Sequence, residues 1–91
     1  MRKVIVIFNI PRFSTTLYDK FVQEMQKNDN LKHEGREYHA AAHDGDQMVI
    51  VDVWESEEDF KEFGNKLMPL FVMNGITPPK PRVIPVHNIL T

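Results

Sequence analysis

Residues 47–54 read QMVIVDVW, an apolar run that is interrupted only by Asp52. Apolar, mostly β-branched residues at both alternating sets of positions are typical of a strand that is buried on both faces. A second run of this kind, KVIVIFNI, occupies residues 3–10 and is stopped by Pro11. Because strands at the centre of a sheet are the most completely covered, the two runs predict the central pair of one sheet.

A helix is predicted after each of these strands. Ser14, Thr15 and Thr16 are N-cap candidates for the first helix, and Ser56 is the predicted N-cap of the second. Pro69 is expected to kink or shorten the last turn of the second helix. The predicted buried stripes comprise Leu17, Phe21 and Met25 in the first helix, and Phe60, Phe63, Leu67 and Leu70 or Phe71 in the second.

The two remaining strands are predicted at residues 37–43 and 82–89. The dipeptide Asp44-Gly45 is a signal for a two-residue hairpin, and Pro85 assigns the last strand to a sheet edge. The element order is therefore βαββαβ. This order predicts a ferredoxin-like α+β fold, in which an antiparallel sheet carries both helices on one face. We expect a single domain over residues 1–91.

Both faces of the predicted central strands are apolar, yet the two helices can cover only one face. The other face would expose a patch on the order of several hundred Å², which soluble monomers rarely tolerate. A second copy could cover this patch with its own sheet, so we expect a homodimer. We expect Ile50 to face the partner and Val51 to face the helices. The alternative is that the chain ends or the proline-rich residues 77–81 fold over the open face.

Composition excludes several classes of protein. The 91 residues include eleven Lys and Arg, thirteen Asp and Glu and no cysteine, for a formal net charge of −2. The lack of cysteine rules out disulfides, a thiolate nucleophile and a cysteine zinc site. No apolar run is long enough for a signal peptide or a membrane span. We expect a cytoplasmic protein that binds neither membrane nor nucleic acid, since its basic residues are scattered.

Part of the sequence resembles a known superfamily. The matching residues are DVWESEEDF at 52–60, then Phe63, Leu67, Pro69 and Gly75, and PVHN at 85–88. They resemble the dimeric α+β barrel superfamily, whose best-known relatives are the antibiotic-biosynthesis monooxygenases. The resemblance implies a homodimer whose two sheets form a barrel, with a cavity beneath the helices or at the dimer seam. It also implies cofactor-free oxygenation, haem breakdown or isomerisation as candidate activities.

No cofactor and no metal are expected. Haem-degrading relatives use an Asn on the first strand, a Trp in the second helix and a His near the end of that helix. Asn9 fits this pattern, but Phe63 and Met73 stand where the Trp and the His would fall. His39 and His43 on one strand would lie ~13 Å apart, too far for one metal ion. The four glycines are isolated and form no phosphate-binding loop.

Asp52 is the most unusual residue of the predicted central strands. Burial of a carboxylate there costs several kcal/mol of folding free energy unless the carboxylate is paired or neutralised. A two-residue turn at Asp44-Gly45 would place His39 opposite Ile50, and His39, Asp52 and Trp54 on one face. The functional interpretation of Asp52 is a base, or a carboxylate that orients a histidine. The structural interpretation is an ion pair across the dimer, or a carboxylate bound to backbone donors.

Two functional hypotheses follow. The first is a cofactor-independent enzyme acting on a small aromatic or other apolar, acid-bearing molecule, with His39, Asp52 and His87 as catalytic residues and Asn9 and Trp54 as substrate-binding residues. The second is a non-catalytic dimeric binding or accessory module, in which the same polar residues only join the protomers. If His39 only faces a ligand, its replacement by alanine should change the melting temperature by no more than a few degrees.

Overall fold

The computed structural model describes residues 2–28 and 34–90. The elements are β1 (Val4–Pro11), α1 (Thr15–Lys27), β2 (Arg36–Asp44), β3 (Gln47–Trp54), α2 (Glu57–Met73) and β4 (Arg82–Pro85). The sheet order is β2-β3-β1-β4, and each neighbouring pair is antiparallel. The predicted βαββαβ order, ferredoxin-like fold and central strand pair are confirmed.

The helix caps follow the sequence signals. Ser14 is the N-cap of α1, where its Oγ accepts a hydrogen bond from the Leu17 N–H at 3.0 Å. Ser56 caps α2 in the same way and accepts from the Asp59 N–H at 3.2 Å. The last turn of α2 extends beyond Pro69.

The end of α2 has the two hydrogen bonds of a Schellman motif. The Ile76 N–H donates to the Phe71 carbonyl at 2.9 Å, and the Gly75 N–H donates to the Val72 carbonyl at 3.1 Å. Gly75 has a φ of +69°, which only glycine adopts without strain. This reversal directs the chain into the proline-rich segment that leads to β4.

β4 is shorter than predicted, because it ends at Pro85 and not at residue 89. The Val86 N–H makes one further bond to the Lys3 carbonyl at 2.9 Å. Residues 87–90 beyond it are exposed. Pro85 lies on an edge strand, as predicted. A proline is tolerated there because its missing N–H does not remove a hydrogen bond from the interior of the sheet.

The core lies between the helices and one face of the sheet. Its buried residues from the two central strands are Val4, Val6, Ile10, Met48 and Trp54, which cluster with Phe13, Phe21, Phe63 and Leu70. Ile50 packs against this core, so Ile50 and Asp52 face the helices. The expectation that Ile50 faces a partner and Val51 the helices is wrong: strand alternation turns Val51 to the open face. Because both sets of positions are apolar, the sequence pattern did not distinguish the faces.

The hairpin between β2 and β3 turns one residue later than predicted. Asp44 pairs with Gln47, so the turn residues are Gly45 and Asp46, and Gly45 has a φ of +64°. His39 consequently lies opposite Asp52 and not opposite Ile50. The residue opposite His39 therefore changes by two positions, from Ile50 to Asp52. Because residues two apart on a strand share a face, His39 and Asp52 still lie on one face, as predicted.

Gly35 should be the glycine most sensitive to substitution. Its φ is +90°, and a Cβ atom would lie 2.5 Å from the Asp59 Oδ2 in α2. We expect Gly35→Ala to lower the free energy of unfolding by about 2 kcal/mol, through backbone strain and displacement of Asp59. Gly45→Ala is the matched control, since φ there is +64° but no atom lies within 4 Å of its Cβ position. Urea unfolding of both variants measures the difference, and an equal loss would contradict the close contact with Asp59.

Candidate functional site

A cavity of about 460 Å³ lies between the helix-facing side of the sheet and the two helices. Its volume is within the range of about 300–1,000 Å³ that is typical of small-molecule sites. Most of its wall is apolar and comes from Phe8, Ile10, Phe13, Phe21, Met25, Ile50, Phe60, Phe63, Leu67, Met68 and Phe71. The segment Pro78–Pro81 contributes the last part of the wall. The aromatic and methionine side chains favour a flat apolar ligand.

Three polar side chains of the cavity wall form a hydrogen-bonded row. The Tyr18 hydroxyl lies 2.5 Å from Nε2 of His39, and Nδ1 of His39 lies 2.5 Å from Oδ1 of Asp52. Each residue comes from a different element: Tyr18 from α1, His39 from β2 and Asp52 from β3. The direct pairing of His39 with Asp52 across the two strands sets one contact, and the N-terminal half of α1 supplies the other.

The row has a direction. The Asp52 side chain is 7% exposed, and an ionised carboxylate can only accept, so Nδ1 of His39 donates to it. In the tautomer whose one ring proton is on Nδ1, Nε2 is the acceptor for the Tyr18 hydroxyl. Burial raises the pKa of Tyr18 above its usual value, and the negative charge of Asp52 adds to this effect while Arg36 opposes it. Tyr18 is therefore a protonated phenol at neutral pH, and its hydroxyl donates to His39.

Arg36 brings a positive charge to the same wall. Its guanidinium carbon lies 5.7 Å from the centroid of the Phe63 ring, within reach of a cation–π interaction. Burial lowers the pKa of Arg36, while the charge of Asp52 raises it. Lys61 and Lys80 also line the cavity. Among the described residues of this lining, Asp52 is the one carboxylate, so the described part of the wall has a net positive charge.

The structure brings two of the three predicted catalytic residues together. His39 and Asp52 are hydrogen-bonded in the cavity wall. His87 is exposed beyond the end of β4 and does not line this cavity within the single chain. β4 ends at Pro85, so His87 lies beyond the last residue that pairs with β1.

The two predicted substrate-binding residues do not line this cavity. Asn9 is exposed on the open face of the sheet, because it alternates with Phe8 and Ile10. Trp54 faces the helices on the same side of the sheet as Asp52, but it is fully buried in the core. Phe60 and Phe63 pack against its ring, with centroid distances of 6.0 and 5.3 Å, and separate it from the cavity. The predicted place of Asn9 and Trp54 on the wall of a pocket in the folded dimer stays a prediction.

Tyr18 and Arg36 were not predicted as site residues. Tyr18 lies beside the predicted apolar stripe of α1, and its hydroxyl at the edge of that stripe was the available signal. No sequence signal identified Arg36. It lies three positions before His39, so in a regular strand its side chain would point to the open face, opposite to His39. A bulge between Arg36 and Tyr38 changes this: Tyr38 pairs with Val53, and Arg36 pairs with Trp54.

Within residues 2–28 and 34–90, no group of three or more His, Asp or Glu side chains is arranged to hold a metal ion. In the same residues, no helix combines the length and the apolar character needed to cross a membrane.

Comparison with known proteins adds evidence from structure only. No family model matches the sequence, and no curated protein is significantly similar to it. The fold is similar to that of MupZ from Pseudomonas fluorescens, with a TM-score of 0.67 and 13% identity over 91% of this chain and 71% of that one. It is similar to a putative antibiotic biosynthesis monooxygenase from Chloroflexus aurantiacus J-10-fl, with a TM-score of 0.56 and 15% identity over 96% of each chain.

A conserved protein from Methanosarcina mazei Go1 is a third neighbour, with a TM-score of 0.53 and 12% identity over 94% of this chain and 92% of that one. At these identities the likeness concerns the fold. The resemblance inferred from the sequence is thus confirmed for the fold: the chain shares a ferredoxin-like α+β fold with these three neighbours.

Proposed function

We propose that the protein is a cofactor-independent enzyme that transfers a proton to or from a small aromatic or other apolar, acid-bearing molecule bound in the cavity. The observation that carries this proposal is the row Tyr18, His39 and Asp52, which ends in a mostly apolar cavity. A tyrosine placed against a histidine that is itself oriented by a carboxylate is an arrangement suited to general acid and base catalysis.

The proton transfer can be written through the row. A ligand hydroxyl or acidic carbon gives its proton to the Tyr18 oxygen as the Tyr18 proton passes to Nε2 of His39. The products are the ligand anion, a neutral tyrosine and an imidazolium beside Asp52. The charge of Asp52 stabilises that imidazolium, and Arg36 stabilises the ligand anion. Such a step is shared by the isomerisation of a carbon acid and by the activation of a phenol.

The test uses 4-nitrophenol, whose anion is coloured. With wild-type protein in excess, we expect the bound phenol to ionise about one pH unit lower than the free phenol, because its proton is accepted by the row. Tyr18→Phe should bind the probe within about threefold of wild type but should lose the shift, since one hydroxyl is removed and the ring remains. Absorbance from acid to alkaline pH measures the ionised fraction.

Two other outcomes of this test have different meanings. A shift that persists in both Tyr18→Phe and His39→Gln would contradict proton transfer through the row. Binding without any shift in the wild type would favour the alternative, a non-catalytic small-molecule-binding module. If 4-nitrophenol does not bind at all, the cavity is not an aromatic site.

We also propose that the protein is a homodimer whose protomers meet through their open sheet faces. On that face Ile5, Ile7, Val49, Val51 and Val53 are only partly buried in the single chain. Their side chains form a continuous apolar surface on the two central strands, since Ile5 pairs with Val53, and Ile7 with Val51. A second copy of the same surface matches it in chemistry and extent.

A further inference from the structure

We propose that Arg36 is the carboxylate-binding residue of the cavity, and that the ligand is an aromatic carboxylate. This inference rests on the proposed function, because it takes the cavity to be the ligand site. It adds to the proposed function the residue that selects the ligand, Arg36, and the ligand group that Arg36 binds, a carboxylate.

The bulge in β2 is the first observation that supports this role. Residue 37 is the extra residue of the bulge, so Arg36 pairs with Trp54 and shares the helix-facing side with Asp52. Glu37 meanwhile binds Lys3, with both carboxylate oxygens 2.7 Å from Nζ. A bulge re-aims a neighbouring side chain, and bulges are frequent beside active sites. Here it brings a guanidinium into a cavity from which regular pairing would exclude it.

The second observation concerns the ion-pair and hydrogen-bond partners of the Arg36 guanidinium. Among residues 2–28 and 34–90, no carboxylate forms an ion pair with Arg36. The carboxylate that shares its wall, Asp52, is hydrogen-bonded to His39. The Phe63 ring supports the guanidinium without using its N–H groups, so these donors can bind a ligand. A carboxylate suits the planar guanidinium because two parallel hydrogen bonds can form.

The position of Arg36 relative to Tyr18 indicates how such a ligand would lie. Both side chains line the same cavity, Arg36 from β2 and Tyr18 from α1. A carboxylate held by Arg36 leaves the aromatic body among Phe8, Phe60 and Phe63, where the wall is apolar. The ring then lies beside the Tyr18 hydroxyl, which is the group proposed to exchange a proton with it.

The test compares 1-naphthoate with its neutral analogue 1-naphthamide by calorimetric titration at neutral pH. We expect wild-type protein to bind the carboxylate about tenfold more tightly or better, because a charge-assisted pair is formed only with the anion. Arg36→Met should lose this preference while keeping its affinity for the amide within about threefold, since the apolar wall is retained. Lys66→Met is the matched control: it removes an exposed cation of α2 that does not line the cavity, and it should keep the preference.

A measurement on the wild type covers the case in which Arg36→Met does not fold. In ¹⁵N-labelled protein, the Nε–Hε resonance of Arg36 should shift on addition of 1-naphthoate and not on addition of 1-naphthamide. A preference that survives in Arg36→Met, or equal affinity of the wild type for both probes, would overturn the role of Arg36 and leave the proposed function standing. Failure of both probes to bind would overturn the cavity as a ligand site, and with it the proposed function.

Discussion

Val51→Lys is expected to convert a dimer into a folded monomer with the 10.7 kDa mass of one chain. Val51 lies on the open face of a central strand, where the partner sheet is proposed to pack. In a symmetric dimer the substitution places two lysines in the interface, and each unpaired buried charge costs several kcal/mol. The dissociation constant should therefore rise by about a thousandfold or more. Sedimentation at micromolar concentration measures the dissociation, and circular dichroism of the monomer shows whether it is folded.

Ile50→Lys is the matched control one position away. Ile50 packs against the core beneath the helices, so a lysine there should cost several kcal/mol of folding free energy and unfold the protein. The two variants have the same change of charge and nearly the same change of volume, and they differ in the face of the sheet. A wild-type protein that sediments as a monomer would refute the dimer. A stable dimer of Val51→Lys would show that the interface lies elsewhere.

His39→Ala is expected to lower the free energy of unfolding by about 3 kcal/mol at neutral pH, because it leaves the buried Asp52 carboxylate without its N–H donor. For a domain of this size each kcal/mol lowers the melting temperature by roughly 4–8 °C. This expectation replaces the small change inferred from the sequence, where a direct bond between His39 and Asp52 was not visible. Thermal unfolding followed by circular dichroism measures the loss.

A double-mutant cycle separates this effect from lost packing. In an Asp52→Leu background there is no carboxylate to leave unpaired, so His39→Ala should cost only about 1 kcal/mol. Tyr18→Phe removes a single hydroxyl from the other end of the row and should also cost about 1 kcal/mol. Equal losses for His39→Ala in the wild-type and Asp52→Leu backgrounds would mean that the bond to Asp52 contributes nothing to stability.

Much of the fold could be predicted because its signals are local. Ser14 and Ser56 cap their helices through side chains and N–H groups three residues apart. Pro85 excluded its strand from the centre of the sheet because it lacks an N–H. The candidate site was predicted in part: Asp52 was identified because a carboxylate interrupts an apolar strand, and His39 because it shares the face of Asp52.

The sequence by itself determined the element order, the central strand pair, the caps and the presence of a buried carboxylate, since each follows from side-chain type and short spacing. Only the tertiary structure decided which sheet face meets the helices, because β1 and β3 are apolar at both sets of positions. It also brought Tyr18 from α1 to His39, a contact between residues 21 positions apart. Arg36 reached the same cavity through a bulge, which depends on the pairing of two strands and leaves no periodic pattern in either one.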